Sequence, residues 1–418
     1  MNDEGRMGHM GNYKIYGGTK LYGTVEIGGA KNGALPLLFA TILTEEPCTL
    51  YGVPDIGDIR TGVEILRTMG ATVEYYDKHT LKICTKDFTP DSMPLHLVGQ
   101  MRASSYLLGA CLGRFGRVEA PITGGCDFGN RPLDCHYGVF HAMGAIGEGA
   151  LEAPKGLKGC YHVFPQVSVG ATVNGLLAAA RIEETVVLEG CATEPHVVDL
   201  ERFLQCLGVE IQGQGTPRLT IRGKQKLRGT PYVVAPDDIE AGTYLCAVLA
   251  TGGEVTVTQV TPSALRPFLD TLSRMGCQME IGRDRVTVRR ETPLLPTHVQ
   301  TAPAPGFPTD LHPPLAAAMC FASGNSTIEE TVWQHRFRYT KELEKMGGVF
   351  HINERTLHIT PTSLVGQEVT ALDLRGGAAV VVAALGAKGR SVISQCELLE
   401  RGYEDFPRKL RGLGAHII

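Results

Sequence analysis

"ILRTMGATVE", residues 65–74, closes a helix and opens a strand within ten residues. Ile65, Leu66 and Met69 put apolar side chains at helical spacing, and Gly70 follows as the usual left-handed stop. Beyond it Ala71 and Val73 alternate with Thr72 and Glu74, the two-residue period of a half-buried strand. The phrase returns as VFHAMGAIGE (139–148), RFLQCLGVEI (202–211), TLSRMGCQME (271–280), ELEKMGGVFH (342–351) and KLRGLGAHII (409–418). Its glycines, Gly70, Gly144, Gly208, Gly276, Gly347 and Gly414, stand 74, 64, 68, 71 and 67 residues apart, which marks an internal repeat. After the first five a strand pair is expected, with turn residues such as Asp77-Lys78-His79 at the hairpin tip.

A second phrase recurs at the same period. It is a helix rich in small residues: KNGALPLLFATIL, RASSYLLGACLG, SVGATVNGLLAAA, EAGTYLCAVLA, TDLHPPLAAAMC and RGGAAVVVAALG. Counted from Lys31, Arg102, Ser168, Glu240, Asp310 and Arg375, the spacings are 71, 66, 72, 70 and 65. These helices are apolar nearly all round and are expected to be buried, with Ala and Gly allowing close approach. A β-rich run such as GEVTVTQV (253–260) sits between the two helices of a unit, so each unit reads roughly β-α-β-α-β-β. Six units exceed one core, and two domains of three are expected.

Lys31, Arg102, Ser168, Asp310 and Arg375 are polar or charged residues at the starts of buried helices. A helix N-terminus offers free N–H groups and about half a positive charge. Singly, each residue is as well read as a cap or a solvated end. Their recurrence favours a shared site for an anionic, phosphate-bearing ligand. Neither a GxxxxGK[ST] loop nor a GxGxxG turn after a strand is present, so P-loop and Rossmann machinery do not explain it.

One loop stands apart. TGGCDFGNRP, residues 123–132, puts Cys126 in a glycine-rich turn with Arg131 five residues on. A thiol near cations has a lowered pKa and is a better acid or nucleophile. The other cysteines of the twelve mostly sit in apolar runs, as Cys111, Cys246 and Cys320 do, and read as reduced core thiols of a cytoplasmic protein. Apolar residues are 43% and charged residues 20% of the 418, with net charge −4, so no broad basic surface argues for nucleic acid. No apolar run reaches the ~18 residues of a membrane span. The polar start, MNDEGRMGHMGNYK, lacks a signal-peptide core and is expected to be a loose extension.

With these residues in hand, the chain resembles the UDP-N-acetylglucosamine 1-carboxyvinyltransferases, enolpyruvyl transferases that begin peptidoglycan precursor synthesis. The resemblance runs from about Tyr13 to Ile418 and rests on GGAKNGALP, MRASSYLLG, GGCDFGNRPLDCH, VSVGATVNG, PGFPTDL, DLRGGAA and ERGYED, in order. It implies an α/β fold of two inside-out barrels, each of three β-α-β-α-β-β repeats, with the active site between them. Residues 1–29 and 239–418 are expected to form one discontinuous domain, and 30–238 the other, which carries the Cys126 loop.

The resemblance also implies roles. Lys31 and Asn32 match the pair that holds phosphoenolpyruvate; Arg102, Arg131, Arg375 and Arg401 resemble the other cations on its phosphate and carboxylate. Cys126 matches the acid that protonates the enol, and Asp310 the base that takes the proton of the sugar 3-hydroxyl. Lys31 and Arg401 belong with them as catalytic groups. On the nucleotide-sugar side, Arg131, Pro132, Leu133, Asp134 and Cys135 match the segment around the uridine. Gln166, Val167, Ser168 and Val169 match the diphosphate segment, and Val332 the residue beside the sugar; Arg102 and Asp310 are shared with this side. The chemistry demands such types: several cations to hold a trianionic substrate and the charge building on its phosphate, an acid on one face of the double bond and a base on the other. No metal or organic cofactor is required, and the partners are small molecules, with no nucleic acid or membrane.

Departures from the family are local. Gln166 stands where Lys or Arg is common, Asp238 where arginine is frequent, and His196 where an acidic residue is common; DLHPPL (310–315) replaces a Gln-rich phrase. These leave open a paralogue with another acceptor, or a silent nucleotide-sugar-binding regulator. Retention of Lys31, Cys126, Asp310 and Arg401 speaks for catalysis. 5-Enolpyruvylshikimate 3-phosphate synthase relatives begin with Ser-Lys-Ser and lack the loop cysteine, whereas this chain has AKNG and Cys126.

Of the twelve thiols, Cys126 is expected to react first. Treatment with the epoxide fosfomycin, a target relation the resemblance implies, should place one adduct on Cys126, read by peptide mass mapping, and faster with nucleotide sugar present. Cys126→Asp should keep turnover and lose the adduct.

Overall fold

The computed structural model describes residues 11–119, 124 and 132–418. The predicted catalytic loop residues Cys126 and Arg131 lie outside the described residues. Two compact units divide the chain. A terminal unit holds the chain through Ile27 with Asp238–Ala302 and Gly306–Ile418; an inserted unit holds Gly28–Asp237 with Pro303–Pro305.

Five four-stranded sheets share one plan. In the inserted unit the orders are Pro231–Val233, Cys48–Tyr51, Thr80–Cys84, Thr72–Asp77 and Tyr161–Val163, Val186–Glu189, Arg218–Arg222, Glu210–Gln212. In the terminal unit they are Leu21–Glu26, Gly253–Thr258, Arg285–Arg290, Gln278–Ile281; His298–Gln300, Ser326–Glu329, Thr356–Thr360, Val349–Asn353; and Glu368–Thr370, Arg390–Ser394, Tyr13–Tyr16, His416–Ile417. The first two strands of each run parallel and the remaining neighbours antiparallel. A parallel pair needs a long crossover and an antiparallel pair only a turn. In three sheets the crossover is short and holds a single small-residue helix, Val169–Ala179, His312–Met319 or Leu374–Gly386; in the other two it spans most or all of the inserted unit.

The repeated glycines end their helices as expected: Gly70, Gly144, Gly208, Gly276, Gly347 and Gly414 all have φ between +82° and +113°, where a side chain is strained. After VFHAMGAIGE the expected strand pair is shortened to a tight hairpin. Gly147 turns the chain back at φ +94°, Ile146 bridges Glu152, and Ala150–Glu152 pairs with Arg117–Glu119 in a two-stranded sheet. Three glycines between residues 144 and 149 leave too few side chains to pack a longer strand there.

The start of the chain also differs from expectation. The expected loose extension reached Lys14, but Tyr13–Tyr16 is an inner strand, flanked by Arg390–Ser394 and by the C-terminal His416–Ile417. The sixth phrase therefore finds its hairpin partner at the other end of the chain.

The small-residue helices form the cores. In the terminal unit Asp238–Thr251, His312–Met319 and Leu374–Gly386 pack on one another. In the inserted unit Tyr106–Phe115 packs on Val169–Ala179 and on Lys31–Ala40. Close approach is why glycine stands at the contacts: a Cβ at Gly109 would lie 2.5 Å from the Asn174 carbonyl oxygen, and one at Gly113 2.7 Å from that of Leu177. Among the described residues no helix is long and apolar enough to cross a membrane.

Ile15, fully buried in the inner strand, ties the two chain ends together. Ile15→Ala should cost about 2–5 kcal/mol of stability, measured by urea unfolding, although it lies at the edge of the sequence.

Candidate active site

In the inserted unit, Lys31 opens the helix Lys31–Ala40. Ala30, the cap residue, has no side-chain acceptor, and the carboxylate of Asp237 takes its place: Oδ2 accepts the Lys31 N–H at 3.2 Å. The returning chain braces this helix start. Ala30 N–H donates to the Ala235 carbonyl at 2.7 Å, while Asp199 accepts from Ala235 N–H at 3.1 Å and from the Tyr232 hydroxyl at 2.7 Å. Burial pushes the Asp199 carboxyl above its ordinary value, and those hydrogen bonds oppose it. Lys31 Nζ lies 2.7 Å from Asp58 Oδ2, and their side chains are only 13% and 8% exposed. Asn32 follows Lys31, half-buried. Arg102 opens a 3₁₀ turn, Arg102–Ser105, just before Tyr106–Phe115.

The two segments expected to bind the nucleotide sugar meet in the same unit. Leu133 precedes the helix Asp134–Ala142, with Pro132 and Asp134 exposed and Cys135 half-buried. Gln166, exposed beside exposed Val167, reaches Cys135 Sγ at 3.8 Å. One turn on, a Cβ at Gly170 would lie 2.7 Å from His136 Nε2. Ser168 Oγ caps the helix Val169–Ala179 by accepting from Ala171 N–H at 3.3 Å. Its oxygen thus accepts from its own helix.

In the terminal unit, Asp310 lies in the 3₁₀ turn Thr309–Leu311 that leads into His312–Met319. Two guanidinium groups grip its carboxylate: Arg336 Nη2 donates to Oδ1 at 2.7 Å and Arg375 Nε to Oδ2 at 3.2 Å. Both arginine side chains are nearly buried, whereas the Asp310 side chain is 27% exposed. Charge-assisted bonds of this kind hold a carboxylate in one orientation while leaving an edge open. Arg375 is the second residue of Leu374–Gly386, whose cap Asp373 accepts from the backbone N–H of Arg375 and Gly376 at 3.0 and 2.9 Å. Its guanidinium lies 5.2 Å from the ring centre of Tyr403, and the Tyr403 hydroxyl lies 2.9 Å from Thr243 Oγ1. Arg401, half-buried, sits two residues before that tyrosine. Val332 is half-buried, its N–H donating to Glu330 Oε1 at 2.8 Å. Asp238, one of the departures, opens the helix Asp238–Thr251.

Sequence reasoning did not single out Asp58, Asp237 or Arg336, each of which meets a predicted site residue through space. None occupies the recurring position at a small-residue helix start, so the repeat carried no signal for them. Among the described residues no group of three or more His, Cys, Asp or Glu is placed to hold a metal ion. The described cysteines are all free. Burial pushes Cys111, Cys191 and Cys320 up to about 12, which leaves them protonated and poorly nucleophilic near neutral pH.

The EPSP synthase (3-phosphoshikimate 1-carboxyvinyltransferase) family matches residues 15–410. UDP-N-acetylglucosamine 1-carboxyvinyltransferase 3 of Caldanaerobacter subterraneus subsp. tengcongensis is 44% identical, over 98% of this chain and 99% of its own. UDP-N-acetylglucosamine 1-carboxyvinyltransferase of Clostridium botulinum is 41% identical over 98% of this chain and its whole length. Among solved structures, the enolpyruvyl transferase NikO from Streptomyces tendae superposes with a TM-score of 0.86 at 28% identity, covering 97% of this chain and 98% of its own. EPSP synthase from Acinetobacter baumannii, at 19% identity and TM-score 0.73 over 97% and 99%, shares the fold.

The Lys31–Asp58 pair is a measurable feature of the inserted unit. A double-mutant cycle with Lys31→Met and Asp58→Asn, read by urea denaturation, should give a coupling of about 1–3 kcal/mol, above the range of solvent-exposed pairs.

Proposed function

The chain belongs to the UDP-N-acetylglucosamine 1-carboxyvinyltransferase branch of the EPSP synthase family, and we propose that it transfers the enolpyruvyl group of phosphoenolpyruvate to the 3-hydroxyl of UDP-N-acetylglucosamine, releasing phosphate, in peptidoglycan precursor synthesis. The observation that carries this reading is identity of 44% spread over 98% of the chain, not confined to one motif.

The resemblance assigns the residue roles, and the chemistry needs groups of these types. Asp310 takes the proton of the sugar 3-hydroxyl as that oxygen attacks C2 of phosphoenolpyruvate, and Cys126 gives a proton to C3. The tetrahedral adduct then loses phosphate from C2 and a proton from C3, which restores the double bond on the sugar ether. Lys31, Asn32, Arg102, Arg131, Arg375 and Arg401 hold the phosphate and carboxylate and oppose the charge that grows as phosphate leaves. Pro132 to Cys135 and Gln166 to Val169 bind the nucleotide diphosphate, and Val332 lies beside the sugar. The grip of Arg336 and Arg375 on Asp310 supports the base assignment, because it orients a partly open carboxylate. Lys31 serves an anion by exchanging or sharing Asp58. Ser168 Oγ accepts the cap bond from Ala171 N–H, which leaves its O–H, with the backbone N–H groups ahead of Ala171, to donate to a diphosphate.

The finer architecture belongs to the same proposal: two inside-out barrels, 1–29 with 239–418 and 30–238, each of three repeats. The common order of five sheets supports it. The enzyme works in the cytoplasm on these two small molecules.

Incubation of the purified chain with phosphoenolpyruvate and one acceptor at a time tests the reading. Phosphate should appear with UDP-N-acetylglucosamine and not with shikimate 3-phosphate. Release with shikimate 3-phosphate alone, or with neither, would overturn it.

A further inference from the structure

The departure DLHPPL places His312 two residues after Asp310, and its side chain is fully buried beside Glu330. Glu330 is itself completely buried, at the exit of the strand Ser326–Glu329. Five donors saturate its carboxylate. Oε1 accepts from Thr301 Oγ1 at 2.9 Å, Val332 N–H at 2.8 Å and Trp333 N–H at 3.0 Å. Oε2 accepts from Thr309 Oγ1 at 2.8 Å and pairs with His312 Nδ1 at 3.0 Å. Nε2 of His312 lies 2.7 Å from the Tyr339 hydroxyl.

The protonation states follow from burial and partners. Burial raises the Glu330 carboxyl, but the bonds from His312, Trp333 and Thr309 outweigh it and leave it below its ordinary value. Burial lowers His312. The network is therefore a carboxylate, a neutral imidazole donating from Nδ1, and a tyrosine donating to Nε2. A saturated buried anion of this kind resists rearrangement, since each donor that leaves it exposes an unsatisfied acceptor site in a low-dielectric interior.

The donors come from separate stretches of chain. Thr309 and His312 bracket Asp310, while Val332 and Trp333 begin the segment that ends at Arg336, the residue donating to Asp310 Oδ1 at 2.7 Å. We infer that Glu330 is a positioning residue for the acid–base step, fixing through Thr309 and His312 the turn that carries Asp310 and through Val332 and Trp333 the segment that carries its partner Arg336. This rests on the reading of Asp310 as the base. Glu330 touches no reacting atom; it sets where the carboxylate stands when the 3-hydroxyl arrives, and sub-ångström placement of a catalytic group governs rate.

Thr309 gives the cleanest test, because its hydroxyl can be removed at nearly constant shape. In the full chain, Thr309→Val should lower kcat on the order of tenfold while KM for phosphoenolpyruvate stays within about twofold. Thr309→Ser, which keeps the hydroxyl, should restore kcat. Thr309→Ala should repeat the loss and stands in if the valine variant does not fold. Wild-type kcat in the valine or alanine variant, or a serine variant as slow as they are, would overturn the inference. Asp310→Asn separates this from the base assignment. Loss of turnover there with Thr309→Val unaffected removes the positioning role alone; full turnover in Asp310→Asn removes the base reading and the inference with it.

Discussion

Helices that are apolar on every side have nowhere to lie except inside, and that constraint organises both units. Asp238–Thr251, His312–Met319 and Leu374–Gly386 bury almost every residue. Having no polar face, they leave water contact to sheets and outer helices, and they can carry polar chemistry only at their ends. Their glycines and alanines then do more than fill space. Gly109 and Gly113 let backbones meet at distances that a methyl group would forbid. The start of each such helix is accordingly the one place where a buried core and an anion can meet, and Lys31, Ser168 and Arg375 stand there.

The charges at these ends are held by opposite charges within their own unit. A nearly buried cation without a partner is costly, and here each has a carboxylate within reach: Asp58 for Lys31, Asp310 for Arg336 and Arg375. The two arrangements do different work. Asp310 is one carboxylate between two guanidinium groups, so either bond keeps it oriented if the other is lost. Lys31 and Asp58 are a nearly buried ammonium–carboxylate pair, and the proposed function would have an incoming phosphate compete with that carboxylate for the ammonium. Such pairing offsets the cost of taking the cations out of water.

The Glu330 network adds a second layer beneath this surface. It ties the 309–312 turn through Thr309 and His312, and the 332–333 segment through its backbone N–H groups, to one buried carboxylate. The DLHPPL departure makes physical sense in that setting. A histidine there can donate to Glu330 and accept from Tyr339 at once, and the proline pair that follows starts the helix without wasting backbone donors.

The amino-acid sequence by itself determined the local grammar of this protein. Six glycine stops, six small-residue helices and the hairpins that mostly follow are written in spacing and polarity, because helix ends, strand alternation and turns depend on neighbours within a few positions. It also set the chemistry available at the helix starts. What only the tertiary structure decided is who meets whom across the chain. Asp58, which pairs with Lys31, and Arg336, one of the two arginines on Asp310, lie 27 and 26 residues from them with no shared pattern. Tyr13–Tyr16 pairs with strands from the far end of the chain, and Pro231–Val233 lies parallel to Cys48–Tyr51 across most of the inserted unit. Such pairings follow from the burial of whole surfaces and the closing of long loops, a sum over the entire fold that no ten-residue window contains.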